Sequence, residues 1–343
     1  MIDILQPGIL ASVQDLGRPG HRRLGIHPGG AVNALALSSA NLLVGNPVDA
    51  AGIEITMGHC ELRFGAETRI ALGGDDIGAT LDGHPIAACW SLPVRAGSVL
   101  RLAPTAKGNG QAARHGMRTY LAVAGGIDVP LLLGSRSTDL KAGFGGHQGR
   151  ALRRGDKLPI GDATQAATVV SGPAFGVRTP RWSGLAAQAD EHSQHVTLRV
   201  LPGPEFEHFT AAARERLWSQ TWRITPNSNR MGCRLDGGEL QRKPGRDMLS
   251  HGVVPGVIQV PPSGQPIILM GDAQTTGGYP KIGVVIGADL WKLAQAPLNA
   301  TLRLERCDLA TAVAAAREQQ RYLDGIAASV AALDWSRATL YRK

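Results

Sequence analysis

Hydrophobic positions along this chain come in short bursts. After residue 52 three runs, GIEITMG, CELRF and TRIALGG, each partly alternate apolar with polar residues. A period of two marks half-buried strands, and the close succession of the runs predicts an antiparallel meander. SLPVRAGSVLRLAP and MRTYLAVAGG extend the pattern. VNALALSSANLLVGNP reads instead as one helix, stopped by Gly45 and kept from resuming by Pro47. A second helix is predicted at PEFEHFTAAARERLWSQ. Strands return at GVIQVP, PIILMGD and KIGVVIG, and a last, alanine-rich helix is predicted from about Asp308 to Leu333, with Gly325 as its breaker.

The two halves echo each other. ILQPG (4–8) is matched by RVLPG (199–203), RRLG (22–25) by NRMG (229–232), and IALGGD (70–75) by ILMGD (268–272), in the same order. The echo predicts an internal duplication: an N-terminal β lobe over 1–165 and a C-terminal β lobe over 196–343 that ends in the last helix. Residues 166–195 are rich in Ala, Ser, Gly, Gln and His with little periodicity, so they read as a linker zone with one strand near ATVVSG.

Composition sharpens this picture. A length of 343 residues suits two domains, and 43% hydrophobic residues supply a sizeable core. With aromatics at only 4%, aliphatic side chains must fill most of it; 44 glycines and 21 prolines imply many turns, as in a β-rich protein. The net charge of +8 points to an anionic partner. The basic residues are scattered and lack interleaved aromatics, which argues against nucleic acid and for a small anionic substrate. Four cysteines, Cys60, Cys89, Cys233 and Cys307, have no metal-ligand spacing and read as free, buried thiols of a cytoplasmic protein. MIDILQPG has no signal-peptide character, and no apolar run is long enough to span a membrane.

Familiar catalytic signatures are missing. There is no phosphate loop, no nucleophile elbow and no zinc-protease motif. EHSQH (191–195) spaces His192 and His195 as ligands could be spaced, but it sits in the linker zone, and no metal is expected there. No Met-Lys-Met tripeptide is present to carry biotin.

Four polar, glycine-rich clusters remain. SVQDLGRPGHRRLGIHPGGAVN offers Asp15, Arg18, His21 and His27 among glycines, and its PGG leads into the first helix, where a helix N-terminus could face an anion. GSRSTDLKAGFGGHQGR offers Arg136 and Ser137, suited to a carboxylate or phosphate. NSNRMGCRL offers Asn229 and Arg230. GDAQTTGGYPKIG, after a buried apolar run, offers Asp272, Gln274, Thr275, Thr276, Tyr279 and Lys281. A plain turn needs two or three such residues, so this last cluster reads as a binding site.

These same stretches, with GVIQVPPSGQPIILMGD and ADLWKLAQ, resemble the allophanate hydrolase subunit 2 family, also called the biotin-dependent carboxyltransferase family. The resemblance runs from about Gln6 to Arg306. LSHGVVPG, with His251, and Ala273 in GDAQTTGGY are most similar to the branch that forms the C subunit of bacterial ATP-dependent 5-oxoprolinases. One departure is Asn299 in QAPLNA, where the family usually has glycine.

The resemblance implies two cyclophilin-like β-barrel lobes. It implies two partners: a 5-oxoprolinase B subunit, which pairs with this chain, and an A subunit, which completes lactam hydrolysis. It implies ATP-dependent opening of 5-oxoproline to glutamate, with nucleotide contacts shared with the partner and the chain inactive alone. On that basis Arg18 and Arg136, with Lys281, are expected to bind anions. His21 or His27 is expected as general base, since histidine changes charge near neutral pH, with Asp15 beside them. Ser137, Asn229, Arg230, Gln274, Thr275, Thr276 and Tyr279 are expected to orient substrate, and Asp272 to hold a cation or an arginine. Two other readings stay open. One is the carboxyltransferase half of a biotin-dependent urea or amide carboxylase, its biotin arriving on another chain. The other is a regulatory antagonist of a histidine-kinase inhibitor.

Overall fold

The computed structural model describes residues 1–75, 77–103, 117–162, 172–180, 195–245 and 248–333. The described residues form two compact units. One draws on Met1–Gly17, Asn33–Ala186 and Gln320–Lys343, the other on Arg18–Val32 and Ala187–Gln319. Most of the linker zone, including much of ATVVSG and His192, lies outside the described residues.

The first unit contains β1 (Ile2–Pro7), β2 (Leu10–Gln14), β3 (Gly52–Thr56), β4 (Cys60–Phe64), β5 (Thr68–Gly74), β6 (Ala79–Leu81), β7 (His84–Pro85), β8 (Trp90–Val94), β9 (Val99–Leu102), β10 (Arg118–Val123), β11 (Lys157–Leu158) and β12 (Phe175–Gly176). They build two six-stranded sheets, ordered β11-β1-β4-β9-β6-β7 and β12-β8-β5-β10-β3-β2. Ile2, Ile4 and Leu62 from one sheet and Ile53, Ile55 and Leu121 from the other share a single core.

The runs after residue 52 do form strands, but not a meander. β3 and β5 lie in one sheet and β4 in the other, so none of the three pairs with the next. Met57, Gly58 and His59 all take positive φ (58°, 68° and 56°), and this left-handed corner breaks up the tight hairpin a meander requires.

The predicted first helix is α1 (Ala34–Leu43). Asn33 caps it, its side chain accepting from Ala36 N–H at 3.0 Å. That amide is therefore taken by the chain itself, where the sequence had pointed to an anion. Gly45, with φ 78°, ends the helix as expected. α1 covers the outer face of its sheet, where Ala40 and Leu43 pack with Ala71 and Ala122. This explains why β5 is buried along its whole length.

The second unit contains β13 (His195–Pro202), β14 (Trp222–Ile224), β15 (Gly232–Asp236), β16 (His251–Gly252), β17 (Val257–Gln259), β18 (Ile267–Leu269), β19 (Thr276–Gly277), β20 (Lys281–Val285) and β21 (Thr301–Arg306). Seven of these close a barrel, ordered β13-β20-β17-β18-β15-β14-β21, with β13 and β21 paired in parallel. β16 and β19 form a separate two-stranded ribbon. Leu198, Trp222, Ile258, Ile268 and Leu302 fill the core.

Its helices are α2 (Ala211–Ser219), α3 (Leu290–Gln295) and α4 (Leu309–Ala331); α4 is grouped with this unit only through Gln319. The helix predicted over PEFEHFTAAARERLWSQ is shorter than read. Thr210 is its N-cap, accepting from Ala213 N–H, and Phe206–His208 form a separate 3₁₀ turn. Asn299 takes φ 66°, the left-handed conformation that glycine adopts freely and asparagine tolerates, so the departure at this position preserves the turn.

Among the described residues no helix is long and apolar enough to cross a membrane. Of the echoed pairs, ILQPG and IALGGD fall in the first unit and RVLPG and ILMGD in the second. RRLG and NRMG both fall in the second.

Candidate functional site

The segment 18–30 and the run 271–281 meet within the second unit. Gly29 N–H donates to Gly271 O at 3.2 Å, and Arg22 Nη2 donates to Thr275 O at 3.4 Å. Asp272 follows the end of β18, buried to 5% exposure. Arg230, 6% exposed, grips it with two charge-assisted bonds, Nε to Oδ2 at 2.7 Å and Nη2 to Oδ1 at 3.0 Å. The same Nη2 donates to Gly30 O at 2.7 Å, so one guanidinium ties the strand end to the distant loop. Asp272 thus holds an arginine, one of the two roles read for it. His27 Nδ1 lies 4.0 Å from Asp272 Oδ1. Arg18 is fully buried, and its Nη1 and the His27 ring border Gly29.

Asn229 shapes the turn that delivers Arg230: its Oδ1 accepts from Met231 N–H at 2.8 Å. His21 is half-buried and opens the 3₁₀ turn Arg22–Leu24.

A second cluster forms at the far end of the run. Lys281 begins β20 and is 3% exposed. Its Nζ lies 3.3 Å from His251 Nδ1 and 3.7 Å from Glu205 Oε2. Glu205 Oε2 also accepts from the Lys281 backbone N–H at 2.8 Å, and Glu205 Oε1 lies 3.7 Å from His251 Nε2. The LPG turn after β13 makes this possible. A Cβ on Gly203 would stand 2.1 Å from Lys281 O, so only glycine lets that turn carry Glu205 so close to β20.

His251 sits on the ribbon, opposite Gly277. Beside it Gln274 Nε2 donates to Gln259 Oε1 at 3.2 Å, and Gln259 Nε2 donates to Tyr279 O at 3.4 Å. The side chains of Gln274, Thr276 and Tyr279 are exposed and Thr275 is half-buried. The run therefore presents polar groups to solvent along a line from the Arg230–Asp272 pair to the Lys281 cluster.

The remaining expected residues lie in the first unit. Asp15 Oδ1 accepts from Gly17 N–H (2.7 Å), Ser135 Oγ (2.6 Å) and Ser137 Oγ (2.5 Å), and its Oδ2 accepts from Arg136 N–H (2.5 Å). Four donors on one buried carboxylate make an anchor for the GSRST loop, a role separate from the catalytic one expected of it. The Arg136 guanidinium turns away from Asp15, donating to Val129 O at 2.9 Å and Asp128 Oδ1 at 3.3 Å.

Among the described residues no group of three His, Cys, Asp or Glu side chains converges as metal ligands. His195 Nδ1 lies 2.7 Å from Thr301 Oγ1. Burial pushes the Cys60 thiol up to about 12 and the Cys89 thiol up to about 11, which keeps both unreactive. A shallow groove of ≈590 Å³ around Arg306, Cys307 and Asp308 shares no residue with either cluster.

Glu205, His251 and Gln259 were not among the site residues read from sequence. Glu205 was hidden inside a predicted helix that in fact starts after Thr210. His251 stood in LSHGVVPG, where it served only to separate branches of the family.

The carboxyltransferase domain model, subdomains A and B, matches residues 24–306. The C subunit of Escherichia coli 5-oxoprolinase is 44% identical over 95% of this chain and 98% of its own length. The Haemophilus influenzae protein of the same name is 40% identical over 95% and 97%. Urea amidolyase of Lachancea kluyveri is 32% identical over 85% of this chain, which matches 16% of that protein. Among solved structures, Kluyveromyces lactis urea amidolyase superposes with a TM-score of 0.81 at 28% identity, over 95% of this chain and 20% of that one. By its matched span and its full-length relatives, this chain belongs to the family of carboxyltransferase domains with subdomains A and B.

Proposed function

We propose that this chain is the C subunit of an ATP-dependent 5-oxoprolinase and helps open 5-oxoproline to L-glutamate in complex with the B and A subunits. The observation that carries this reading is the 44% identity, along nearly the full length of both chains, to the C subunit of the Escherichia coli enzyme. An unactivated lactam is a poor electrophile, and ATP supplies the phosphoryl group that turns its amide oxygen into a leaving group. This chain has no phosphate loop, so nucleotide contacts are shared with the partner.

What this chain's residues contribute is substrate handling. Lys281 is a buried cation at the end of the exposed polar run and suits the substrate carboxylate. Tyr279, Thr276 and Gln274 offer exposed donors and acceptors around it. Arg230 and Asp272 hold the run in place. His27, beside Asp272, is the better placed of the two candidate bases, because its ring is fixed by burial.

The test is reconstitution with the A and B subunits and measurement of glutamate and phosphate released from 5-oxoproline. Losing one hydrogen bond to a charged ligand costs roughly 1.5–3 kcal/mol, so Tyr279→Phe or Thr276→Val should lower turnover at limiting substrate ten- to a hundredfold. Wild-type turnover in both variants would remove the run from the site.

The family's carboxyltransferase relatives favour one alternative, the half-enzyme of a biotin-dependent urea or amide carboxylase. Biotin would then come from another chain. Under that reading the reaction requires bicarbonate and stops with avidin; under the first it does neither.

A further inference from the structure

The geometry points to a proton-coupled carboxylate seat at Lys281, Glu205 and His251: an anionic ligand takes the place of the His251 ring on the Lys281 ammonium, and His251 takes up one proton as it leaves. This deepens the proposed function, since it rests on the reading that the chain handles a small anionic substrate.

Three observations carry it. First, Lys281 and Glu205 are buried, with side chains 3% and 9% exposed, whereas the imidazole between them and solvent is 45% exposed. The ring is thus a lid on a buried charge pair. It sits on a two-residue ribbon outside the barrel, where rotating it away disturbs no core packing.

Second, the hydrogen bonding fixes the ring's state. An ammonium can only donate, so the 3.3 Å contact requires a lone pair on Nδ1. The ring proton then sits on Nε2, facing Glu205 Oε1 at 3.7 Å. A doubly protonated ring would set N–H against N–H at Lys281. His251 is therefore neutral in this arrangement, and Lys281 and Glu205 cancel each other.

Third, the ammonium has three N–H donors, and among the described residues it makes one hydrogen bond, to that ring, and one longer ion pair. It has donors to spare for a carboxylate.

The charge balance follows. A carboxylate arriving at Nζ brings one negative charge and displaces Nδ1. The freed lone pair takes one proton from solvent, and the imidazolium can then donate to the new anion. Two cations face two anions, and the set returns to neutrality. Among the described residues, Lys281 and Glu205 are the ionised side chains in contact with His251. Gly277, its partner across the ribbon, and Ser250, its neighbour in sequence, are neutral.

The test is titration calorimetry on the full chain near neutral pH, in two buffers of different ionisation enthalpy. The probes are L-5-oxoproline, acetate and 2-pyrrolidinone, which has the lactam without the carboxylate. The wild type should bind L-5-oxoproline with uptake of about one proton, and its affinity should fall about tenfold per pH unit on the alkaline side. 2-Pyrrolidinone should drive no proton uptake. His251→Gln, an exposed substitution that leaves the fold intact, should bind L-5-oxoproline without proton uptake, about a hundredfold more weakly at pH 6 and with wild-type affinity at pH 9. Lys281→Met should bind neither carboxylate.

Uptake of acetate with a proton but no binding of L-5-oxoproline would keep the seat and overturn the oxoprolinase reading. Carboxylate binding without proton uptake, unchanged uptake in His251→Gln, or no binding of either carboxylate would overturn the seat.

Discussion

Replacing Arg230 by methionine should destabilise the second unit sharply. The side chain is 6% exposed and its partner Asp272 5%, so neither charge can turn to water when the other is removed. The substitution deletes the two bonds to Asp272 at 2.7 and 3.0 Å and a third, at 2.7 Å, to Gly30 O. Leaving one member of a buried ion pair uncompensated costs about 3–5 kcal/mol. With a urea dependence of roughly 2 kcal/mol per molar for a unit of this size, the unfolding midpoint should fall by on the order of 2 M. Tryptophan fluorescence reads the transition, because Trp222 is fully buried in this unit's core. The double variant Arg230→Met/Asp272→Leu removes both charges and should recover most of the loss, since a buried pair is often no better than a well-packed apolar one. A single-variant loss below about 1 kcal/mol, or a double variant no better than Arg230→Met, would show that the pair is solvated and that the argument from burial fails.

Three further outcomes are expected. Arg150 holds the Asp156 carboxyl down to about 2 through two bonds at 2.8 and 2.9 Å. A depressed carboxylate stabilises the fold above its unfolded value near 3.9 and loses that contribution as pH falls toward 2. The stability gap between wild type and Arg150→Met, about 1 kcal/mol at pH 5 for a pair screened by solvent, should therefore close between pH 4 and 2 in acid-unfolding curves. Asn299→Val puts a β-branched residue at φ 66° and should cost about 1–2 kcal/mol, while Asn299→Gly should be neutral; equal melting temperatures for the two would refute this. A Cβ on Gly73 would meet Ala36 O at 2.1 Å, so Gly73→Ala should push α1 off its sheet and lower the melting temperature by several degrees; an unchanged temperature would mean the helix can shift freely.

Local signals were legible in the sequence, and distant ones were not. Strands β3, β4, β5 and β10 and helix α1 lie where alternation and Gly45 place them, because each depends on residues a few positions away. Pairing of those strands failed to follow sequence order because the corner at 57–59 sends the chain to the other sheet. Polar density marked both Asp15 and the 271–281 run, but density alone cannot say whether donors face one another or face outward. Around Asp15 they face one another; on the run, Tyr279 and Thr276 face solvent. Glu205 escaped notice for a similar reason, since its partner Lys281 is 76 residues away.

The grouping of Arg18–Val32 with the second unit sets a schedule for biosynthesis. Gly30 and the arginine that binds it are 200 residues apart. At roughly 5–20 residues per second, a ribosome delivers Arg230 some 10–40 s after Gly30 has emerged. Throughout that interval Arg18 and His27, buried in the finished protein, remain hydrated on a nascent strand while the chain on either side can already fold. Assembly of the candidate site is therefore a late event in the making of the chain. Any truncation that removes the C-terminal half leaves the 18–32 segment without a folded state to join.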